Sequence, residues 1–194
     1  MPDIRVTAAT PPHEAASHGR RLAGWIPSST GPVKSVEVGL QTLRNRSRDA
    51  VRNDGLAASG CRNWTAALVG SGIVARTKTD DPALKRAIDR QWAAWLPVCD
   101  ADGVLDFYGL QSLVGRSLFE SGEAFVRIRP RRPEDRLPAP VQLQVLESDM
   151  LPMLDSQNGD NRIIQGIELN KLGQRVAYWF HGTHPGDGMG SSGE

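Results

Sequence analysis

The sequence predicts an α+β fold in which N-terminal helices are followed by an antiparallel β-sheet. Two observations carry this. Apolar residues recur at helical spacing in four segments between residues 35 and 121 and at a period of two thereafter. The two kinds of segment are also segregated along the chain rather than alternating, which disfavours a βαβ arrangement. A hairpin signal near residue 170, "ELNKLGQRV", reinforces the antiparallel assignment.

Element by element, residues 1–34 lack periodicity and are rich in Pro, Ala, Ser and Gly ("TPPHEAASHG", "PSSTGP"), the composition of a flexible arm. Trp25 and Ile26 are its candidate anchors. A helix is expected over 35–52, with Leu40, Leu43, Ala50 and Val51 inward and Arg44, Arg48 and Arg52 recurring at i, i+4 beside them. A second is expected over 54–69, carried by Ala57, Cys61, Trp64 and Leu68. Ile73–Thr79 then reads as a short strand. Asp81-Pro82 marks a helix start, because the carboxylate caps free amides and proline has no amide to lose. That helix runs to about Leu96, with Leu84, Ile88, Trp92 and Trp95 inward. A fourth is expected over 104–121, ended by Gly122. Strands follow at "EAFVRIR", "VQLQVLE", "RIIQGIEL" and "RVAYWFHG". The expected organisation is therefore an arm (1–34), one α+β domain (35–187) and a flexible Gly-rich end (188–194).

Net charge is +1 over 194 residues, so the chain as a whole does not attract polyanions. The halves differ. Residues 1–97 hold 14 Lys+Arg and 8 Asp+Glu, a balance of +6, while residues 98–194 hold 9 and 14, a balance of −5. Such a split suits head-to-tail assembly as well as a solvated surface. The two cysteines, Cys61 and Cys99, make no disulfide framework and read as reduced, buried apolar residues of a protein made in a reducing cytoplasm. Nothing approaches the roughly 18 apolar residues of a membrane span.

Three stretches imitate ligand sites. "AALVGSGIVAR" (66–76) has the spacing of a dinucleotide fingerprint, but that motif needs a strand before its glycines and a helix after them. Here the order is reversed, so Gly70 and Gly72 are expected to end a helix and turn the chain, with no cofactor. "CDADG" (99–103) imitates a calcium loop, yet its glycine comes too early and Gln111 stands where the bidentate acid belongs. A turn at Asp102-Gly103 accounts for it. His181, His184 and Asp187 sit in a Gly/Pro loop, where no helix presents both imidazoles together, and read as polar loop residues rather than a metal site. No nucleophile motif is present.

Arginines form the remaining pattern. Arg44, Arg46, Arg48 and Arg52 cluster on one expected helix, with Asp49 three residues from both Arg46 and Arg52. Arg127, Arg129, Arg131, Arg132 and Arg136 cluster on a strand and the proline-rich loop after it, diluted by Glu134 and Asp135. Arg44, Arg48, Arg52, Arg127, Arg129, Arg131 and Arg132 are the candidate contacts, to other subunits in preference to nucleic acid.

In order along the chain, "RSRDAVRNDGLAASG", "WTAALVGSGIVARTK", "DFYGLQSLVGRSLFESGEAFVRIRPR", "PVQLQVLESDML" and "NRIIQGIELNKLGQRVAYWFHGTHPGD" resemble lambda-type phage portal proteins, the head–tail connectors, over roughly residues 36–187. The resemblance implies a ring-forming structural subunit, not an enzyme, at one capsid vertex of the virion. It implies a dodecamer of such subunits, with the terminase large subunit, capsid and tail-connector proteins as partners. Double-stranded DNA passes through the channel during packaging and ejection. A near-neutral conduit lets DNA slide where dense phosphate contacts would hold it. The helices and sheet would form the outer wing. Chains of this kind run well beyond 194 residues, so an N-terminal fragment is expected, with channel and terminase contacts beyond Glu194. A nucleic-acid-binding module and an inactive, truncated prophage product are the alternatives.

Overall fold

The computed structural model describes residue 20, residues 24–25 and residues 29–187. It divides into two units, 1–38 and 39–194. The expected arm lies largely, and the Gly-rich end wholly, outside the described residues. Within the first unit, α1 (Pro32–Glu37) starts on a proline after Gly31.

The second unit opens with α2 (Leu40–Asn53) and α3 (Gly55–Val69). The single helix expected over 35–52 is therefore two, separated at Val38-Gly39. Glycine is the weakest helix former after proline, and the break falls on it. The inward face of α2 also differs from expectation. Leu43 is exposed, and the covered stripe is Arg44, Ser47, Arg48 and Val51. Ion pairs, described below, make that polar stripe tolerable. Asp54 caps α3 by accepting from the amides of Leu56 (2.7 Å) and Ala57 (3.1 Å). Cys61 is buried as expected, but Trp64 and Leu68 are half exposed.

At the end of α3 the Gly70 amide bonds to the Ala66 carbonyl and the Gly72 amide to the Val69 carbonyl, both at 2.8 Å. Both glycines have positive φ, +55° and +82°. The glycine pair thus ends a helix and turns the chain, the structural role expected of it. Beyond it, residues 73–79 belong to no helix or strand and have no ladder partner among the described residues. The expected strand is absent because no neighbouring strand lies alongside to supply hydrogen bonds. Instead Gln111 accepts from the Ile73 amide at 2.7 Å. A Cβ at Gly72 would overlap the Tyr108 ring. Gly72→Ala should therefore cost about 1–3 kcal/mol, from the backbone conformation and the clash together. Chemical denaturation checks this, and Gly70→Ala, which meets nothing, should cost less.

Asp81 caps α4 (Pro82–Trp95), accepting from Ala83 (2.7 Å) and Leu84 (3.3 Å). Only its last turns reach the core; Leu84 and Ile88 are exposed. α5 (Phe107–Ser121) starts three residues later than expected, because Asp106 is its cap and residues 100–105 form a turn. Gly122, at φ +79°, closes it in the left-handed conformation. Gly115 lets α5 approach α3: a Cβ there would lie 3.3 Å from the Thr65 methyl.

The strands form two antiparallel sheets rather than one. β1 (Phe125–Pro130) pairs with β2 (Val141–Leu146), Ile128 opposite Leu143. β3 (Ser156–Asn158), β4 (Asn161–Ile164), β5 (Ile167–Leu169) and β6 (Arg175–Tyr178) form a meander in chain order. Asn170-Lys171-Leu172-Gly173 joins β5 to β6, as expected, with Gly173 at φ +76°. Gln165-Gly166 joins β4 to β5 with both φ positive, the backbone of a tight hairpin. The main core holds Trp95, Cys99 and Leu110, with Trp92, Leu105, Phe107, Val141, Leu143 and Val145 packed around it. Both cysteines are free and buried, and burial pushes the Cys99 thiol up, with Asp100 adding to the shift.

Candidate functional site

The arginines of α2 are drawn inward. Arg44, 5% exposed, pairs with Glu123, which follows the Gly122 cap. One turn on, Arg48 pairs with Asp149 and lies 3.6 Å from Glu147. Both acids lie at the end of β2, so two guanidiniums tie α2 to the start of β1 and the end of β2. Arg52, a further turn along, is exposed and makes no ion pair or hydrogen bond among the described residues. Asp49 does not serve Arg46 or Arg52; it accepts from Asn53 at 2.6 Å.

Between α2, α5 and the turn after β2 lies a polar cavity of about 350 Å³, lined by Arg48, Arg52, Arg116, Glu120, Glu147 and Ser148 among others. Arg116 is held by Glu120, Nε to Oε1 at 2.7 Å.

On the far side of Glu147 stands His184, its Nε2 3.6 Å from the carboxylate. Glu147, Asp149 and His184 bring one ligand atom each within 4.8 Å of one another. This is not the His181–His184–Asp187 group considered from sequence. His181 is exposed, and its amide bonds to the Met150 carbonyl at 2.7 Å. The Gly186 amide donates to His184 Nδ1 at 3.0 Å, so the neutral imidazole carries its proton on Nε2. A cation there would meet an N–H and the Arg48 guanidinium where it needs lone pairs. The cluster is better suited to hold the 181–187 loop than to ligate a metal.

The second arginine group lies along β1 and the loop after it. Arg127 and Arg129 both donate to Gln144 Oε1 (2.5 and 3.3 Å), and Arg131 donates to Gln142 Oε1 (2.7 Å). The two glutamines are anchored in turn, Gln144 to Asp102 and Gln142 to the carbonyls of Val98 and Asp100. Arg132 contributes its amide to Asp135. None of these four guanidiniums has a carboxylate partner among the described residues. Arg127, Arg129 and Arg131 form a row of uncompensated charge on the side opposite Val126 and Ile128, which are 49% and 66% exposed, and Arg132 follows in the loop.

The "CDADG" stretch is a turn. Asp100 is buried, and its carboxylate accepts from the amides of Asp102 (3.0 Å), Val104 (3.0 Å) and Leu105 (2.9 Å). Burial would raise its pKa, but those three amides outweigh it and the net direction is down. Glu168, buried in the meander, is lowered by hydrogen bonds from Asn161, Trp179 and Asn158 against an opposing burial effect. Sequence reasoning missed Glu123, Gln142, Gln144, Asp149, Ser148 and Glu168. The one available signal was Glu123 directly after a helix-ending glycine, opposite a basic helix.

Comparison with known proteins supplies the family. The family model described as phage portal protein, lambda family, matches residues 18–194. The chain belongs to this portal family. A relative described as a probable portal protein, from Halomonas phage phiHAP-1, is 31% identical over 159 residues, covering 76% of this chain and 30% of that protein. The chain thus spans about a third of that relative's length. Among the described residues, no helix of this portal-family chain is long and apolar enough to cross a membrane.

Proposed function

We propose that this chain is a structural, non-enzymatic part of a portal subunit, its outer wing-like region. In this reading the portal ring, twelve subunits when complete, stands at one capsid vertex of the virion, and double-stranded DNA passes through it during packaging and ejection. The terminase large subunit, capsid and tail-connector proteins are its other partners. The observation that carries the proposal is the family match over residues 18–194. Apolar side chains left exposed on the folded body, Leu68, Ile73, Val126 and Ile128 among them, support a surface that other subunits cover.

Electron microscopy of the gene product carrying this sequence tests it. Closed rings are expected; a strictly monomeric product overturns the reading. The isolated chain is expected to self-associate, because β1 and β3 are open edges. A reversible, monomeric melt would overturn that expectation.

A second reading is favoured by the uncompensated arginines of β1 and the loop after it: direct DNA contact through Arg127, Arg129, Arg131 and Arg132. It requires DNA binding that weakens with salt and is lost on replacing those four residues. Binding that salt leaves unchanged would exclude it.

A further inference from the structure

The outer edge of β1 is unpaired. Leu143 of β2 donates its amide to the Cys99 carbonyl, on the far side from β1. Its register partner Ile128 therefore turns its own amide and carbonyl away from β2, and Val126, two residues earlier, does the same. No strand lies beyond β1, and neither amide has a partner among the described residues. Pro130 falls at the next outward position, where its missing N–H costs the β1–β2 ladder nothing; proline within a sheet is confined to such edges. The opposite edge of the pair is closed by the bridge between Asp100 and Leu143.

Side chains give the open edge two chemically distinct sides. Val126 and Ile128 stand exposed on one. Arg127 and Arg129 stand on the other, and Arg131 continues the row beyond Pro130. Among the described residues, the only side-chain partners of these three guanidiniums are the neutral amides of Gln142 and Gln144. A strand laid along β1 would take its main-chain hydrogen bonds from Val126 and Ile128. Its residues facing Arg127 and Arg129 would then hold the non-hydrogen-bonded positions, where Cα atoms approach to about 4.5 Å and side chains meet most closely. Carboxylates there would outcompete the glutamine oxygens, since a charge-assisted hydrogen bond is roughly twice as strong as a neutral one. Apolar residues between them would cover Val126 and Ile128.

We propose that β1 is a docking edge for an extended segment of another protein, one in which acidic and apolar residues alternate, added to the β1–β2 pair as a third strand. Charge selects the occupant: guanidiniums held only by neutral amides repel a basic strand and attract an acidic one. The strand comes from a different protein because this chain has none to offer. Acids stand two residues apart in the sequence only at Asp100-Ala101-Asp102 and Glu147-Ser148-Asp149. Asp100 and Ser148 are buried, and Asp149 is held by Arg48. Duplex DNA could neutralise the arginines, but it has neither a strand's row of donors and acceptors nor apolar side chains for Val126 and Ile128. The docking edge is separate from the ring reading above, and it competes with the DNA reading for the same arginines.

Fluorescence anisotropy with labelled peptides and this chain tests the choice of occupant. A peptide with the core Glu-Val-Glu-Val-Glu should bind, and less tightly as salt rises. The core Glu-Glu-Glu-Val-Val, of the same composition without the alternation, should bind at least several-fold more weakly, and Lys-Val-Lys-Val-Lys should not bind. Arg127→Ala combined with Arg129→Ala should weaken the alternating peptide at least several-fold. Amide hydrogen exchange on the unmutated chain tests the strand itself. The Val126 and Ile128 amides should exchange fast in the free chain and slowly once the alternating peptide saturates it. Equal binding of the rearranged peptide, or exchange unchanged at those two amides, overturns the added strand. Protection of the two amides before any peptide is added overturns the open edge. A duplex oligonucleotide that binds through these arginines while the alternating peptide does not overturns the acidic strand as occupant in favour of DNA.

Discussion

Trp95→Ala should remove about 3–5 kcal/mol of stability, a large fraction of what holds a domain of this size together. The indole is 7% exposed at the end of α4, where Cys99 and Leu110 complete the most buried part of the core. Its ring centroid lies 5.2 Å from that of Trp92 and 5.8 Å from that of Phe107. Its Nε1 donates to the Val141 carbonyl at 2.7 Å, which fastens α4 to β2. Truncation to alanine opens a cavity and leaves that carbonyl without its donor. Trp95→Phe separates the two effects, keeping most of the volume and losing the hydrogen bond, and should cost about 1–2 kcal/mol. Urea unfolding followed by circular dichroism reads both. If Trp95→Ala moves the midpoint no further than Leu172→Ala, on an exposed turn, the core has been misplaced.

Caps and turns made the helical half legible. Asp81 and Gly122 each announce a helix end by chemistry that acts within three or four residues, and each does so in the structure. The same holds for Asn170–Gly173 between two strands. What failed were inferences that needed a distant partner. Residues 73–79 have the β-branched character of a strand, but a strand exists only where another lies beside it, and propensity cannot supply one. Leu43 sits at helical spacing with the apolar residues of α2, yet Arg44 and Arg48 take the buried face. Glu123 and Asp149, 79 and 101 residues away in sequence, are waiting there. A pair of charges across that separation leaves no mark in periodicity.

The candidate contacts divide along the same line. From sequence, the arginines of α2 and those of β1 looked like two similar basic clusters. The structure ties Arg44 and Arg48 to carboxylates and holds Arg127, Arg129 and Arg131 on the neutral amides of Gln142 and Gln144. Only the second group keeps its full charge for a partner, and "VQLQV" gave no hint of this, since alternating glutamines read simply as the polar face of a strand. Arg52 belongs by spacing to the first group and by its free guanidinium to the second.

Asp100→Ala should cost about 2–4 kcal/mol, because three amides, those of Asp102, Val104 and Leu105, lose their acceptor together in a place where water reaches poorly. The turn they form sets the path from α4 into α5, and the backbone around Asp100 bridges to Leu143 of β2, whose amide donates to the Cys99 carbonyl and whose carbonyl accepts from the Ala101 amide. Loosening it therefore disturbs the core on two sides. The same carboxylate makes the fold acid-sensitive. The folded pKa lies below its ordinary value, so its contribution is complete above the unfolded pKa of about 4 and is lost as pH falls through the folded pKa. Glu168 acts in the same direction from the meander. Wild-type stability should thus fall steeply below about pH 4. Asp100→Asn keeps one acceptor oxygen and cannot be protonated, so it should start less stable at neutral pH and fall less steeply in that acid window. Urea midpoints from pH 3 to pH 7 decide it: parallel curves for wild type and Asp100→Asn would mean that this carboxylate is not the group whose protonation releases the turn.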